Sequence, residues 1–382
     1  MKKVTIIIVV LILTLAGAIY INSQKKSTRS SPISRVGKNQ PPQNKNDLPR
    51  ASIVAEDLEV PWAMVFLPDG GMLVTERPGR VRIIDKDGNL KTAPLLEIDV
   101  VKRIQGEGGL HGITIHPEFE KNQFVYLYYT YDNQGSRSLN RVSRYIFDGE
   151  KLNSEKIIVD KIPGALFHDG GRIKFGPDKL LYITTGDAQE PSLAQNRNSL
   201  AGKILRVTPD GKAAPGNPFG SAQGEPFGTL IYSYGHRNPQ GITWDESGNL
   251  FETEHGSSQM DELNRIEIGK NYGWPEVRGD EKRNGLVPPL VHSGSDTWAP
   301  GGAAYLNGSV YFVGLRGKSL YQAVLSGNSA TIETHFKDEF GRIRDVIVGP
   351  DNMLYITTSN RDGRGDRQSG DDKIIRVNPS KL

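Results

Sequence analysis

Residues 173–185 read IKFGPDKLLYITT, and this stretch decides the fold of the chain. Two short runs of β-branched and aromatic residues flank Gly176, Pro177 and Asp178, which are typical turn residues. The pattern therefore predicts two β-strands joined by a tight turn.

The same plan recurs five more times along the chain. The other copies cover residues 64–76, 113–129, 242–254, 303–314 and 346–358. Asn307 and Gly308 stand at one of these turns, and Asn-Gly is a strong hairpin signal. Six copies over about 320 residues give roughly 50 residues per copy, the spacing of propeller blades. The sequence predicts an all-β fold, a six-bladed β-propeller over residues 51–382, in preference to a sandwich or a parallel β-helix.

Composition excludes several classes of function. The chain has 382 residues, of which 36% are apolar and 24% charged, so it is globular. A net charge of +3, without a basic block interleaved with aromatic residues, gives no reason to expect a nucleic-acid partner. No cysteine is present, which excludes disulfides and thiol chemistry. No glycine-rich loop opens a helix after a strand, so a nucleotide enzyme is disfavoured.

The N-terminal region differs from the rest of the chain. Lys2 and Lys3 precede an apolar run at residues 4–21, which predicts a signal peptide or membrane anchor over residues 1–22. Residues 23–50 are rich in Ser, Pro, Asn, Gln and Lys and predict a disordered linker. We expect the folded part to lie outside the cytoplasm, with membrane contact only through the N-terminal segment.

His168 and Asp187 bracket the hairpin at residues 173–185. Folding its two strands back on each other returns both residues to the same end. A neutral His oriented by a carboxylate is suited to act as a general base. From the spacing alone, a histidine hydrogen-bonded for packing is the alternative.

Two groups of cationic and amide side chains are not explained by the turn and apolar pattern that forms the hairpins. Arg237 and Asn238 enter the fourth repeat, where they are suited to polarise a carbonyl or hold a carboxylate, or to form a salt bridge between blades. Arg342 and Arg344 point the same way from one strand start, and Arg316 holds a similar place in the preceding repeat. Such a group of cations indicates a polyanionic ligand, with a solvated charged rim as the alternative.

Residues 254–277 carry the densest set of hard oxygen donors. The candidates for Ca²⁺ are the carbonyls of Gly256, Ser257 and Tyr272 and the carboxylates of Asp261 and Glu262. The regular Asp/Asn spacing of an EF-hand is absent, so the signal is weak by itself.

Four motifs taken together carry a family resemblance. They are HDGGRIKFGPDKLLYITTGD (168–187), YGHRNPQGI (234–242), EHGSSQMDELNRIEIGKNYGWPEV (254–277) and GRIRDVI (341–347). In this order, across about residues 55–378, the chain resembles the soluble quinoprotein glucose dehydrogenase and aldose sugar dehydrogenase family, often labelled glucose/sorbosone dehydrogenase. The resemblance implies a propeller that binds pyrroloquinoline quinone (PQQ) with calcium, and oxidises the anomeric hydroxyl of aldoses to lactones.

The resemblance also implies roles for single residues in catalysis and in binding the cofactor. His168 would take the C1 hydroxyl proton as hydride passes to the quinone, and Asp187 would orient His168. Arg237 would stabilise the oxyanion that develops on the quinone, and Asn238 would help to hold the cofactor. The residues expected to bind the cofactor's carboxylates are Arg316, Arg342 and Arg344.

For the metals and the substrate, the resemblance gives a second set of expectations. Carbonyls of Gly256 and Ser257 would ligate the calcium that polarises the quinone, while Glu262 and the Tyr272 carbonyl would belong to a second, structural calcium site. Asp261 would lie near the base and the substrate. Glu107 stands where the glucose dehydrogenase has a Gln near the substrate, so broader aldose use is expected than strict glucose specificity. An external electron acceptor is implied as a further partner.

Two other functions stay open at this point. One is a calcium-dependent propeller hydrolase acting on lactones or similar esters, since fold alone does not fix chemistry. Such hydrolases hold their channel calcium with side-chain carboxylates, whereas the channel signals here are mostly cationic. The other is a non-catalytic binding propeller, which loss of His168 or Arg237 would have favoured.

Overall fold

The computed structural model describes residues 34–35, 47–101, 106–133, 137–220 and 228–382. Contacts separate two units, Met1–Ser34 and Arg35–Leu382, and the fold described below belongs to the second. The predicted signal or anchor at residues 1–22 and most of the predicted linker lie outside the described residues. Within the described residues, no helix has the length and apolar character needed to cross a membrane.

Residues 47–382 contribute four antiparallel strands to each of six sheets. Neighbouring sheets contact one another in a closed ring, so they are the blades of a six-bladed β-propeller. The predicted all-β fold is confirmed.

The strands are listed here blade by blade, from the centre outward, after the short strand β1 (Ser34–Arg35). Blade 1 contains β3 (Pro61–Phe66), β4 (Met72–Glu76), β5 (Arg80–Ile84) and β6 (Leu96–Glu97). Blade 2 contains β7 (Leu110–Ile115), β8 (Phe124–Tyr131), β9 (Leu139–Phe147) and β10 (Leu152–Pro163). Blade 3 contains β11 (Ile173–Phe175), β12 (Leu181–Thr185), β13 (Lys203–Val207) and β14 (Ile231–Tyr234). Blade 4 contains β15 (Pro239–Trp244), β16 (Leu250–Glu254), β17 (Glu262–Ile266) and β18 (Val291–His292). Blade 5 contains β19 (Pro300–Leu306), β20 (Ser309–Gly314), β21 (Ser319–Ser326) and β22 (Ser329–His335). Blade 6 contains β23 (Ile343–Val348), β24 (Leu354–Thr358), β25 (Ile374–Val377) and β2 (Ala51–Ala55).

Helical structure is scarce in the described residues. They contain one short α-helix, α1 (Phe119–Asn122), and three short 3-10 helices at Pro191–Ala194, Gly228–Leu230 and Pro379–Lys381. The first three lie in connections between strands and Pro379–Lys381 follows the last strand, so the sheets alone position the site.

The six sequence repeats correspond to the first two strands of the six blades. In blade 3, residues 173–185 form β11 and β12, with Ile173 opposite Ile183. The turn is closed because Gly176 N donates to Leu180 O at 2.9 Å and Leu180 N donates to Asp178 Oδ1 at 3.1 Å. All five residues of β12 are buried, since both faces of the strand pack against neighbouring blades.

Two kinds of contact hold the ring together. β2, at the N-terminal end of the propeller, pairs with β25 at its C-terminal end, with Ala51 opposite Val377. Buried apolar clusters fill the gaps between blades, for example Leu73 with Leu127 across blades 1 and 2, and Val313 with Ile356 across blades 5 and 6. The ring is therefore closed by main-chain hydrogen bonds and filled by apolar packing.

The loops at one end of the central channel collect the polar side chains. In each blade the first strand begins, and the antiparallel second strand ends, at this same end. His168 and Arg342 precede first strands, whereas Asp187 and Gly256 follow second strands. Residues far apart in sequence are thereby brought to one mouth of the channel.

Candidate active site

A polar cavity of about 440 Å³ lies at this mouth of the channel. Seven of the residues singled out in the sequence line it, namely Glu107, Gly256, Ser257, Asp261, Arg316, Arg342 and Arg344. His168, Asp187, Arg237 and Asn238 connect to its lining by hydrogen bonds given below. Glu262 and Tyr272 are not among its lining residues.

His168 and Asp187 form a hydrogen-bonded pair. The distance from His168 Nδ1 to Asp187 Oδ1 is 2.7 Å, and the Asp187 side chain is fully buried. The His168 side chain keeps 16% of its surface exposed, and no hydrogen bond to its Nε2 is formed by residues that the structure describes. Since Asp187 accepts at Nδ1, Nε2 is the nitrogen left to take up a proton.

The backbone at His168 is held in the left-handed region, with φ of 66°. His168 N donates to Glu107 Oε2 at 2.9 Å, and its carbonyl accepts from Ala188 N at 3.3 Å. A Cβ on Gly186 would lie 1.9 Å from the His168 carbonyl oxygen, so only glycine fits there. The loop is therefore built around one conformation of His168.

Two donors besides His168 hold the Asp187 carboxylate in place. Its Oδ2 accepts from Trp274 Nε1 at 2.8 Å, and its Oδ1 also accepts from Gln189 N at 2.8 Å. Both oxygens thus have donors. Hydrogen bonds of this kind fix the orientation of a catalytic carboxylate and, through it, of the imidazole.

Arg237 adjoins the same tryptophan. Its guanidinium lies 5.3 Å from the Trp274 ring centre, and Nη1 donates to the His255 carbonyl at 3.3 Å. Its Nε is buried and has no partner within the described residues. Burial lowers the pKa of Arg237, while Asp187 and Glu107 act in the opposite direction. Arg237 is a cation with unused hydrogen-bonding capacity.

Four arginines that line the cavity form what we call the arginine wall: Arg316, Arg342, Arg344 and Arg364. Arg342 donates from Nε and Nη2 to Asp362 Oδ2 at 2.9 and 2.8 Å, and from Nη1 to the Leu315 carbonyl. Arg316 is exposed. The wall is thus only partly neutralised by the protein itself.

Arg344 is a buried cation without a full set of hydrogen-bond partners in the described residues. Nη1 donates to Gln240 Oε1 at 2.9 Å, Nη2 lies 3.9 Å from Asp362 Oδ2, and Nε is buried without a partner in the described part of the chain. Burial lowers its pKa to about 9, although Asp362 acts in the opposite direction. A bound anion would relieve this cost.

Glu107 joins the loop that carries His168 to the next blade. Its Oε2 accepts from His168 N and, at 3.2 Å, from Asn238 Nδ2. Burial by itself raises the pKa of Glu107, but His255, His168 and Arg344 outweigh it and lower the pKa to about 2. Asn238 is fully buried, and its Oδ1 accepts from Gly170 N at 3.0 Å. The amide of Asn238 bonds to the loop that carries His168, and the prediction that it holds the cofactor stays a prediction.

Asp261 organises the loop that contains the predicted calcium ligands. Its Oδ1 accepts from Gly256 N at 2.8 Å, and its Oδ2 accepts from the main-chain N of Trp298 and of Ala299 at 2.6 and 2.8 Å. With its carboxylate occupied by three N–H groups, Asp261 acts here as a loop-positioning residue. Gly256 and Ser257 line the cavity beside it and offer carbonyl oxygens.

Glu262 belongs to a group of polar side chains that we call the acid cluster, and Tyr272 contacts it; the cluster consists of Glu252, Glu254, Glu262, Asn264 and His236. Asn264 Nδ2 lies 3.1 to 3.3 Å from one oxygen of each glutamate. His236 Nδ1 lies 3.1 Å from Glu254 Oε1, and the His236 ring stacks on Tyr272. Burial, followed by Glu254, raises the pKa of Glu262 to about 8 and that of Glu252 well above its usual range.

Some site residues have no assigned role in the sequence reasoning. Trp274 lies within a quoted motif, but its contact with Asp187 spans 87 positions. Arg364 lines the cavity from a glycine-rich loop, and Arg77 donates to the Gly106 carbonyl at 3.3 Å next to Glu107. A repeat pattern alone does not show which loop side chains turn inward, so no sequence signal marked the two arginines.

Comparisons with known proteins identify the family of this chain. A family model described as Glucose / Sorbosone dehydrogenase matches residues 58–375. Aldose sugar dehydrogenase YliI of Escherichia coli strain K12 is 31% identical over 356 residues, which cover 86% of this chain and 92% of that protein. A PQQ-bound aldose sugar dehydrogenase structure from Streptomyces coelicolor is 41% identical, with a TM-score of 0.78, over 86% of this chain and 97% of its own. A structure described as a putative oxidoreductase (glucose dehydrogenase) from Thermus thermophilus is 45% identical, with a TM-score of 0.81, over 86% and 99% of the two chains.

Proposed function

Because this chain belongs to the glucose/sorbosone dehydrogenase family, we propose that it is a PQQ-dependent dehydrogenase that oxidises the C1 hydroxyl of aldose sugars to lactones. One observation carries the proposal. A histidine hydrogen-bonded to a buried carboxylate at 2.7 Å adjoins, through Glu107, a cavity that is lined with arginines. A base and a polyanion site in this arrangement are what such a reaction needs.

The residues of the cavity fit a tricarboxylate cofactor. Two guanidinium nitrogens at the site, Arg237 Nε and Arg344 Nε, are buried without partners in the described chain. Arg316, Arg342 and Arg344 would bind the carboxylates of PQQ, since charged hydrogen bonds to a planar guanidinium are strong and directional. Arg237 would face the quinone oxygen as a cationic donor. When bound, PQQ supplies a quinone that accepts two electrons as a hydride.

The protein's own part in the reaction is to remove a proton. His168 Nε2 takes the proton of the sugar's C1 hydroxyl, while Nδ1–H stays bonded to Asp187 Oδ1. Asp187 keeps the tautomer fixed and stabilises the imidazolium that forms. Proton and hydride together account for the two electrons and two hydrogens that the aldose loses on becoming a lactone.

Calcium is proposed at two places. Carbonyls of Gly256 and Ser257 at the cavity would hold the ion that polarises the quinone, because Ca²⁺ prefers oxygen ligands. The acid cluster is the second place, with Glu262 and the Tyr272 carbonyl as the implied ligands. Glu252 Oε1 and Asn264 Oδ1 are buried there without hydrogen-bond partners in the described residues, and a cation would satisfy both.

The remaining parts of the proposal concern the partners. An external electron acceptor would reoxidise the cofactor, and aldoses of more than one kind would be substrates. We also propose that the propeller lies outside the cytoplasm, attached or exported through residues 1–22.

The experiment is an activity assay on the full chain supplied with PQQ and CaCl₂. A panel of aldoses is added with an artificial electron acceptor, and acceptor reduction is followed by absorption. We expect saturable turnover that requires PQQ and is lost in His168→Gln. The matched control is His116→Gln, because His116 lies at the start of the turn between β7 and β8, outside the cavity lining.

Two results would contradict the proposal. One is the absence of turnover with every aldose although PQQ binds saturably. The other is turnover that survives unchanged in His168→Gln.

A further inference from the structure

A second cavity, of about 370 Å³, occupies the central channel itself. It is lined by residues from the first strands of all six blades, with Arg172 at the start of β11. Arg344, at the start of β23, lines the cofactor-side cavity, whereas residues 345–348 of the same strand line this one. The second cavity therefore lies farther along the channel.

Three charged residues line this cavity: Arg172, Lys174 and Asp345. Asp345 is satisfied within the protein, since its Oδ1 lies 3.0 Å from Arg172 Nη1 and its Oδ2 accepts from Met64 N at 3.0 Å. Arg172 Nε donates to the Gln240 carbonyl, but Nη2 is buried and unpartnered in the described chain. Arg172 and Asp345 thus pair with each other, and Arg172 Nη2 remains as a donor without a partner in the described residues.

Lys174 has no such pairing. Its Nζ lies 3.4 Å from the Ile242 carbonyl and 3.5 Å from the Ala303 carbonyl, both at the outer limit for a hydrogen bond. No carboxylate of the described residues lies within 4.0 Å of it. Burial lowers the pKa of Lys174 to about 8, with Asp345 acting in the opposite direction. With Arg172 and Asp345 paired to each other, Lys174 is the charged residue of the cavity lining that has no ion-pair partner among the described residues.

A second buried lysine, Lys203, has hydrogen-bond acceptors for all three protons of its ammonium group. Lys203 Nζ is held by three main-chain carbonyls, those of Leu193, Ala194 and Ala201. Lys203 lines neither of the two cavities. The difference is that Lys174 lines an open cavity and its Nζ makes only two long hydrogen bonds, without a carboxylate partner in the described residues.

We propose that the central channel binds a small monovalent anion, of the chloride class, between Arg172 Nη2 and Lys174 Nζ. The one lining cation without a carboxylate partner, Lys174, sets the valence, and the unpartnered Arg172 Nη2 and the weakly bonded Lys174 Nζ set the position. Arg172 and Lys174 are two residues apart on one strand and so face the same way. The site is separate from the proposed cofactor site and does not depend on it.

The test uses the full chain without cofactor and bromide as the anion probe. Thermal unfolding is recorded while bromide replaces a bulky organic sulfonate at constant ionic strength. We expect a saturable rise in the midpoint of about 2–4 °C. The rise should persist in Lys174→Arg, which keeps the charge, and in the exposed control Lys212→Met, and it should be absent in Lys174→Met.

A second measurement does not depend on any variant's folding. Crystals of the unaltered chain grown in bromide should show anomalous scattering in the channel, in contact with Lys174 Nζ. An equal bromide response in Lys174→Met and the unaltered chain would overturn the proposal. So would anomalous scattering that is absent from the channel between Arg172 and Lys174.

Discussion

The two sides of the candidate active site are built in opposite ways. On the base side, His168 Nδ1 and both oxygens of Asp187 have partners at 2.7 to 2.8 Å. On the arginine wall, Arg344 Nε is buried without one in the described chain, and Arg316 is exposed. The His168–Asp187 pair is complete in the protein alone, whereas Arg344 keeps a donor without a partner in the described residues.

This difference separates two tasks that the site has to perform. A base must be oriented before the substrate arrives, so its surroundings are fixed by the fold. A binding wall works best when its cations gain their partners only on binding, because the protein then bears the cost of burial in the free state. Substitutions on the two sides should therefore fail in different ways.

The largest effect is expected from His168→Gln. This change removes the proton acceptor and keeps a polar side chain of similar size, so kcat should fall by about 10²–10⁴-fold while PQQ affinity stays the same. Steady-state kinetics with an artificial acceptor and a PQQ titration provide the two numbers. An equal loss in both would mean that His168 belongs to the binding wall.

Asp187→Asn should have the next largest effect. An amide in place of the carboxylate loses the acceptor that fixes the imidazole tautomer, and kcat should fall by about 10–10³-fold. The matched control is Asp178→Asn in the exposed turn of the same hairpin, which should change kcat little. Equal kcat values for the two variants would show that orientation of His168 does not depend on Asp187.

Arg344→Met probes the other side of the comparison. Loss of a charged hydrogen bond should weaken PQQ binding by about 10–100-fold. The free energy of unfolding without cofactor should not fall, because an incompletely paired buried cation is removed. Arg283→Met, at an exposed ion pair, is the control for binding. A clear loss of stability without any loss of PQQ affinity would make Arg344 a structural residue.

The smallest effect concerns Asp169, next to the base. Its Oδ1 accepts from Asn140 Nδ2 at 3.1 Å, but its Oδ2 is buried without a partner in the described chain. Burial, followed by Glu107, raises its pKa to about 7. The folded state therefore favours the protonated acid, and this contribution is complete below about pH 4 and lost as the pH rises through 7.

Asp169→Asn should remove that pH dependence. The amide cannot ionise, so the variant should be more stable than the unaltered chain by about 1–2 kcal/mol at pH 8 and lose this advantage at pH 4–5. Urea unfolding at both pH values measures the difference. The same stability difference at pH 5 and pH 8 would show that Asp169 does not titrate in this range.

The sequence was sufficient for the blades and for the pairing of the base. Turn residues repeat at blade spacing, and His168 and Asp187 stand at the two ends of one hairpin, so local rules bring them together. The contact of Trp274 with Asp187 crosses from one blade to the next, and no local pattern predicts it. The acid cluster depends on the register of β16 and β17, which sets Glu252 opposite Asn264 and Glu254 opposite Glu262. Register of this kind is fixed by the packed sheet.

The most direct measurement is a single-turnover experiment. The chain loaded with one equivalent of PQQ and calcium is mixed with one equivalent of aldose and no acceptor, and the absorption of the cofactor is recorded. The account predicts reduction of the bound quinone in the unaltered chain, and an unchanged quinone spectrum in His168→Gln loaded with the same amount of PQQ. Reduction at the same rate in both proteins would contradict the assignment of His168 as the base.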